Sequence, residues 1–173
     1  MIHTEAPLAA QPDISPERFR NVLSQWPTGV SVISSSDENN APIGLVIGSF
    51  CSISLDPPLV AFSLMKTSSS LLSIRSKGQF CVNILSSTQA DLVKVFCKGD
   101  PKARFAAVDH HLSPAGMPVI EGAIAWIEAK LECEYEGGDH IILLGRVTAL
   151  EEGTAGRPLI FAQGGLGGYE ILS

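Results

Sequence analysis

An antiparallel β-barrel, closed or nearly closed, with helices only at its periphery is the architecture this sequence predicts. Three observations carry it. Apolar runs that read as strands outnumber the helical stretches. They are short and follow one another through turn residues, as in all-β barrels. No internal repeat, low-complexity tract or linker divides the 173 residues, a length that suits one domain with a real core.

Residues 1–14 read as a flexible tail, and 15–173 as the single domain. Ser15-Pro16-Glu17 supplies an N-cap, a proline at the first helical position and an early acid, and Phe19, Val22, Leu23 and Trp26 follow at helical spacing up to Pro27. Val30 and Val32 alternate with serines as a strand, and Asp37 to Asn40 turns the chain into the next strand near Ile43. That strand carries Gly48-Ser49 inside it and continues as a period-2 run through Cys51, Ile53 and Leu55 to a stop at Asp56-Pro57-Pro58. A glycine within a strand marks a bulge or a place where a ligand approaches the backbone, and many β proteins carry one for purely structural reasons; the structural and the ligand readings both stay open.

Leu59 to Leu64 is a continuous apolar strand, Ser68 to Lys77 a short helix closed by Gly78, and Phe80 to Leu85 a buried strand. Ser87 caps a helix with an apolar stripe of Leu92, Val93 and Phe96. Residues 98–118 are irregular. Ile127, Ala129, Leu131 and Cys133 then alternate with Glu128, Lys130, Glu132 and Glu134, which predicts a half-exposed strand with its acids outside. Glu136 to Asp139 turns into a strand from His140 to Leu150, and Pro158 to Ala162 is the last strand before a glycine-rich tail.

Composition narrows the function. The chain is 45% hydrophobic and 17% charged with mean hydropathy +0.24, which excludes a largely disordered protein and points to a subunit interface as the outlet for apolar surface. A net charge of −6 argues against a general nucleic-acid or anionic-membrane binder. No apolar run reaches membrane-spanning length, and the N-terminus lacks the basic region and apolar core of a signal peptide. Cys51, Cys81, Cys97 and Cys133 form no CxxC pair; three of them lie in apolar runs, where a free thiol acts as a small hydrophobe, so a reducing, cytoplasmic setting is expected.

Three clusters bear chemistry. Lys66 with Thr67, Ser68, Ser69 and Ser70 gathers a cation and four hydroxyls where a strand meets a helix, which suits a phosphate or equally a solvated helix cap. His140 follows Gly137-Gly138-Asp139; Asp139 would orient its ring only if the two side chains converge, which neighbours on a strand seldom do. Lys94, Lys98, Lys102 and Arg104 concentrate positive charge, as a solvated face or as attraction for an anionic cofactor. His110-His111 point to opposite faces of an extended chain, so no metal site is expected. GxGxxG, GxxxxGK[ST] and GxSxG are all missing.

TGVSVI (28–33), GLVIGSFCSISLDPPLV (44–60), Lys66 to Ser70, FCVNIL (80–85), Arg104-Phe105, GGDH (137–140) and PLIFAQGG (158–165) stand in one order along the chain. In that order the chain resembles the short-chain flavin reductases, the reductase components of two-component flavin-dependent monooxygenases, from about Phe19 to Gly168. The resemblance implies a mainly β, Greek-key antiparallel split β-barrel with peripheral α-helices. It implies a homodimer that binds FMN (FAD being possible), takes NADH or NADPH as co-substrate, and gives reduced flavin to a separate oxygenase. It places Val46, Gly48 and Ser49 along the flavin ring, and Ser63, Leu64, Lys66, Ser69 and Ser70 around the ribityl phosphate. Phe105 closes the pocket, and His140, with Asp139, lies by the nicotinamide. Where the family often has Thr and Asn or Ser, this chain has Val46 and Gly48; where it often has Arg and Tyr, Gln163 and Leu166 stand. The alternative is a flavin-holding electron carrier of the same fold.

Overall fold

A computed structural model describes residues 14–98, 100 and 103–171. Residues 1–13, most of the expected tail, and Lys102 of the basic segment lie outside the described residues. In chain order the elements are α1 (Pro16–Leu23), β1 (Thr28–Gly29), β2 (Ser31–Ser36), β3 (Pro42–Ile47), β4 (Cys51–Leu55), β5 (Pro58–Met65), α2 (Ser69–Lys77), β6 (Gln79–Ile84), α3 (Ala90–Cys97), β7 (His110–Leu112), β8 (Pro118–Ile120), β9 (Ala125–Gly137), β10 (His140–Glu152), β11 (Ile160–Ala162) and β12 (Gly165–Gly167). The protein is mainly β with a few helices.

Seven strands form one antiparallel sheet in the order β3-β2-β6-β9-β10-β5-β4. β3 and β4 are therefore consecutive in the chain yet stand at opposite ends of the ladder. A flat sheet would hold those ends roughly 29 Å apart at normal strand spacing. The link Gly48-Ser49-Phe50 spans at most about 15 Å. The sheet must curl until its ends approach at this link, although no backbone ladder joins β3 to β4. The sequence expectation of one strand running through Gly48-Ser49 is corrected accordingly: the chain leaves one end of the sheet at Ile47 and enters the other at Cys51.

Two apolar clusters lie on opposite faces of β2, which presents Ile33 to one and Val32 to the other. One packs Phe62, Phe80 and Leu143 of the sheet against Leu71 and Ile74 of α2, with Phe62 and Phe80 edge to face at 4.9 Å. The other sets Val32, Leu85 and Leu159 against Phe96 of α3 and Phe105. Gly44 of β3 lies beneath that pair: a Cβ there would meet Phe96 and Phe105 ring atoms at 2.7 Å each. Gly44→Ala should therefore lower stability by about 1–3 kcal/mol through overpacking, measured as a fall in the urea midpoint without a change in slope.

Local signals hold at most element ends. Ser15 caps α1 by accepting the Arg18 amide at 3.2 Å, and Gly78 ends α2 in the left-handed region at φ +65°. The helix before Phe96 begins differently from expectation. Ser86, not Ser87, supplies a cap, and it caps the 3-10 turn Ser87–Gln89 through a capping box with Gln89; α3 then starts after Gln89, which makes no side-chain capping bond to it.

Three expectations about exposure change. No residue of α1 is buried, and Trp26, just beyond it, is 75% exposed, because nothing among the described residues covers its apolar face. Of the four cysteines only Cys81 is buried; Cys51 lies exposed on an edge strand, and all four thiols are free. Burial, with the charge of Glu128 adding to it, pushes the Cys81 thiol up to about 12.

Glu128, expected outside, is 3% exposed. The segment read as irregular contains the β7–β8 hairpin, whose turn folds over that face of β9. Ser113 Oγ donates to Glu128 Oε2, the Ala115 amide donates to the same oxygen at 2.9 Å, and Thr148 Oγ1 donates to Oε1 at 2.9 Å. Burial alone would raise this carboxyl, but the three hydrogen bonds, with the charge of Lys130, outweigh it and hold the group below the usual carboxylate range.

Candidate functional site

The ends of several elements converge on a cleft of about 570 Å3. β3 brings Leu45, Val46 and Ile47, and the link adds Gly48 and Ser49. β5 ends there with Ser63, Leu64 and Met65, and α2 begins there with Thr67, Ser68, Ser69 and Ser70. His140 opens β10 directly opposite Met65 in the ladder, which fixes it at the same rim. Phe96, Cys97 and Arg104 complete the lining from the far side.

The curl of the sheet explains this convergence. Ser49 stitches the link to β5: its hydroxyl accepts the Ser63 amide at 3.1 Å and donates to the Ser63 carbonyl at 3.2 Å, standing in for a ladder partner two residues beyond the Cys51–Ala61 pair. Gly48 is held by a close contact, since a Cβ there would sit 2.6 Å from Thr28 Oγ1. The structural reading of this glycine is thus realised, and the same absence of a side chain leaves its backbone facing the cleft. Arg75 near the end of α2 grips Glu134 of β9 with bonds of 2.6 and 3.0 Å, fixing the helix that carries the hydroxyl cluster.

The start of α2 suits an anion. Ser68 makes no side-chain capping bond, so its hydroxyl does not occupy the first-turn amides, and Ser70 beside it is buried at 3% exposure. Amides of a first helical turn and convergent hydroxyls are what a phosphate requires. Arg104 reaches the cleft with its guanidinium braced by the carbonyl oxygens of Gly44 at 2.9 Å and Lys98 at 3.4 Å. The opposite wall of Leu45, Val46, Ile47, Leu64 and Phe96 is apolar. A flat ring along that wall with its phosphate at α2 matches this donor set, and the volume lies within the range of small-molecule sites.

His140 and Asp139 do converge, contrary to the expectation for strand neighbours. Asp139 belongs to the turn after Gly138, at φ +71°, and its Oδ1 lies 2.7 Å from His140 Nδ1. The His140 bond holds the Asp139 carboxyl below its usual range. With Nδ1–H given to the carboxylate, Nε2 is the ring nitrogen left for chemistry. The Asp139 carbonyl also accepts the Lys66 amide at 3.0 Å, tying the turn to the end of β5.

Most residues singled out in the sequence therefore meet: Val46, Gly48, Ser49, Ser63, Leu64, Ser69, Ser70 and His140 line one cleft, with Asp139 directly behind the histidine. Two do not line it. Lys66 forms an ion pair with Glu136 on the outer surface, and Phe105 is buried beneath Gly44, where it supports the wall from behind. Phe96 and Cys97 were not foreseen; the apolar stripe of α3 gave no sign of which end would reach the cleft. Beside the cleft lies an apolar annex of about 190 Å3 that shares Val46, Ile47, Gly48 and Cys97 and is closed by Phe161 and Leu166. Gln163 is turned away from both, donating to Gln25 at the end of the α1 segment. His110 and His111 go to separate partners, the Val108 carbonyl and Glu121.

Comparison with known proteins gives the family. Residues 23–170 match the flavin reductase-like domain. The chain is 42% identical over 159 residues to a flavin reductase of Pseudomonas putida, covering 92% of this chain and 93% of that one. It is 43% identical over 157 residues to HsaB, a flavin-dependent monooxygenase reductase subunit of Rhodococcus jostii, covering 91% and 80%. Among solved structures, the NADH:FAD oxidoreductase SgcE6 of Streptomyces globisporus superposes with a TM-score of 0.86 at 30% identity, covering 97% of this chain and 99% of that one. This chain belongs to the flavin reductase-like domain family.

Proposed function

We propose that the protein oxidises NADH or NADPH, reduces FMN, with FAD as the other candidate, and supplies the reduced flavin to a separate flavin-dependent oxygenase. The observation that carries this reading is the single cleft in which an apolar wall, a hydroxyl-rich helix start and the Asp139–His140 pair face one another. The similarity to a monooxygenase reductase subunit supports the destination of the product.

The flavin, when bound, supplies the electron-accepting ring to which the nicotinamide passes hydride. The chain's own residues bind and orient. Leu45 to Gly48 and Leu64 offer the ring an apolar wall and main-chain polar groups, and Thr67 to Ser70 with the α2 amides hold the phosphate. Arg104, braced on two carbonyls, adds positive charge to the same cleft. Asp139 fixes the His140 ring so that Nε2 is presented at the rim, where it orients the nicotinamide carboxamide and carries a proton to or from the reacting rings. Met65 at the same rim is 52% exposed, so the mouth is open to solvent, which favours an enzyme over a sealed electron carrier. The test is direct: purified protein should oxidise NADH or NADPH in the presence of added free flavin. Folded protein that does so with neither nucleotide and neither flavin overturns the reading.

The curled sheet is read as a split barrel, and the uncovered face of α1 as part of a two-fold homodimer contact. Phe19, Val22, Leu23 and Trp26 are each more than half exposed and would be buried there. Light scattering should report twice the chain mass at micromolar concentration, and Trp26→Glu should return a monomer.

A further inference from the structure

The cleft continues past the end of β3 into the apolar annex of about 190 Å3, and the two share Val46, Ile47, Gly48 and Cys97. The small sheet β1-β11-β12 builds the annex's other side. Its ladders set Thr28 opposite Phe161 and Phe161 opposite Leu166, so the three side chains stand in one row on one face. Thr28 ends that row against Gly48, its Oγ1 2.6 Å from where a Cβ would be, which brings the row up to the shared wall. Among the described residues no charged side chain lines the annex, and the Thr28 hydroxyl is the one oxygen-bearing side chain there. The cleft differs at its other end, where Thr67 to Ser70 and His140 offer hydroxyls and a ring nitrogen.

A flavin ring has two unlike ends. One is a benzene ring bearing two methyl groups; the other carries two carbonyls and an N–H. The ribityl chain leaves from the middle of the ring's length, so a phosphate held at α2 leaves either end free to point toward the annex. The lining decides between them. The polar end would find one side-chain hydroxyl for three polar groups, and each buried group left unpaired weakens binding by roughly five-fold or more. The dimethylbenzene end needs no hydrogen-bond partner, and an apolar cavity of roughly 150 Å3 holds a benzene ring. Phe161 and Leu166, 42% and 40% exposed, supply apolar surface for it to cover.

We propose, on the flavin reading of the cleft, that the annex takes the dimethylbenzene end of the ring, and that Phe161 and Leu166 thereby decide which way round the flavin lies. The polar end is left to the cleft, with its main-chain groups and hydroxyls. Phe161 and Leu166 then also limit what the methyl-bearing positions of the flavin can carry.

The test pairs FMN with the analogue lacking both ring methyl groups, didemethyl-FMN, each titrated into the whole protein by flavin fluorescence. The parent protein should bind FMN roughly ten-fold tighter, the worth of burying two methyl groups. Phe161→Ala and Leu166→Ala open the annex and should bring that preference to within about three-fold. Leu166→Trp fills the annex and should weaken FMN more than didemethyl-FMN. Ser70→Ala, at the phosphate end, should weaken both flavins alike and keep the preference. Equal affinity of the parent for the two flavins overturns the proposal and leaves the flavin site standing. A preference unchanged in all three annex variants also overturns it. A raised KM for NADH or NADPH in those variants, with FMN affinity unchanged, would give the annex to the nicotinamide instead. Binding of neither flavin is a separate result, which removes the flavin reading and this orientation with it.

Discussion

Glu128→Ala is expected to cost about 3–5 kcal/mol of folding stability, the largest loss from any single substitution outside the apolar core. The carboxylate is buried and accepts from three donors on two segments: the Ser113 hydroxyl and the Ala115 amide of the β7–β8 turn, and the Thr148 hydroxyl of β10. Alanine leaves the Ser113 hydroxyl and the Ala115 amide without that acceptor, leaves Thr148 Oγ1 only the residue-128 carbonyl at 3.3 Å, and opens a cavity between the β7–β8 turn and the sheet. Glu128→Gln keeps one acceptor oxygen but presents an amide N–H2 where only donors face it, so it should fall between the two. The same network gives a pH signature. Its folded carboxyl lies below the ordinary value, so its contribution is fully present above the unfolded pKa of about 4.3 and is lost as pH falls through the folded value. Melting curves of parent and Glu128→Gln taken downward from neutral pH should therefore converge below about pH 4. If the gap between them stays constant across that range, Glu128 does not owe its effect to its charge.

Glu128 also marks where the sequence stops being informative. The alternation along β9 is real, and placing its acids in solvent follows from period 2 alone. What buries Glu128 is a hairpin some fifteen positions earlier, folded over that face, and no local pattern announces it. The Gly48-Ser49 link is a similar case. It reads as mid-strand because both flanks are apolar and extended, and only the strand order reveals that the chain changes ends of the sheet there. Features set within a few residues were legible: the Ser15 cap, the Gly78 stop, and the hydroxyl cluster before α2. The α1 stripe was legible as an amphipathic pattern, but its exposure was not, since periodicity says which face is apolar and nothing about what lies against it. In the site, the motifs came together where their order along the chain implied. The departures are side chains whose direction depends on packing. Lys66 turns to Glu136 and Phe105 goes beneath Gly44, while Asp139 swings onto His140 because a positive-φ glycine precedes it.

His140→Ala and Ser70→Ala are expected to fail in different ways, and the contrast tests the proposed division of the cleft. Ser70 is buried beside the α2 amides, so its hydroxyl is placed to donate to a bound phosphate. Removing one hydrogen bond to a charged group is worth about 1.5–3 kcal/mol, or roughly ten-fold or more in flavin affinity. At saturating flavin the rate of NAD(P)H oxidation should recover. His140 stands at the rim with Nε2 outward, held by Asp139 at 2.7 Å. Its loss should leave flavin affinity within about a factor of two to three. The same loss should lower kcat, or raise KM for the nicotinamide, by roughly ten- to a hundred-fold, the scale of a misplaced reacting partner or a lost proton donor. Asp139→Asn should reproduce part of that loss, because an amide can offer Nδ1 either its oxygen or its nitrogen and so no longer fixes the tautomer. Flavin fluorescence titration and steady-state kinetics on the three variants separate the roles. A His140→Ala protein that no longer binds flavin yet turns over normally when flavin is saturating would move the histidine to the flavin phosphate and leave the nicotinamide without its assigned partner.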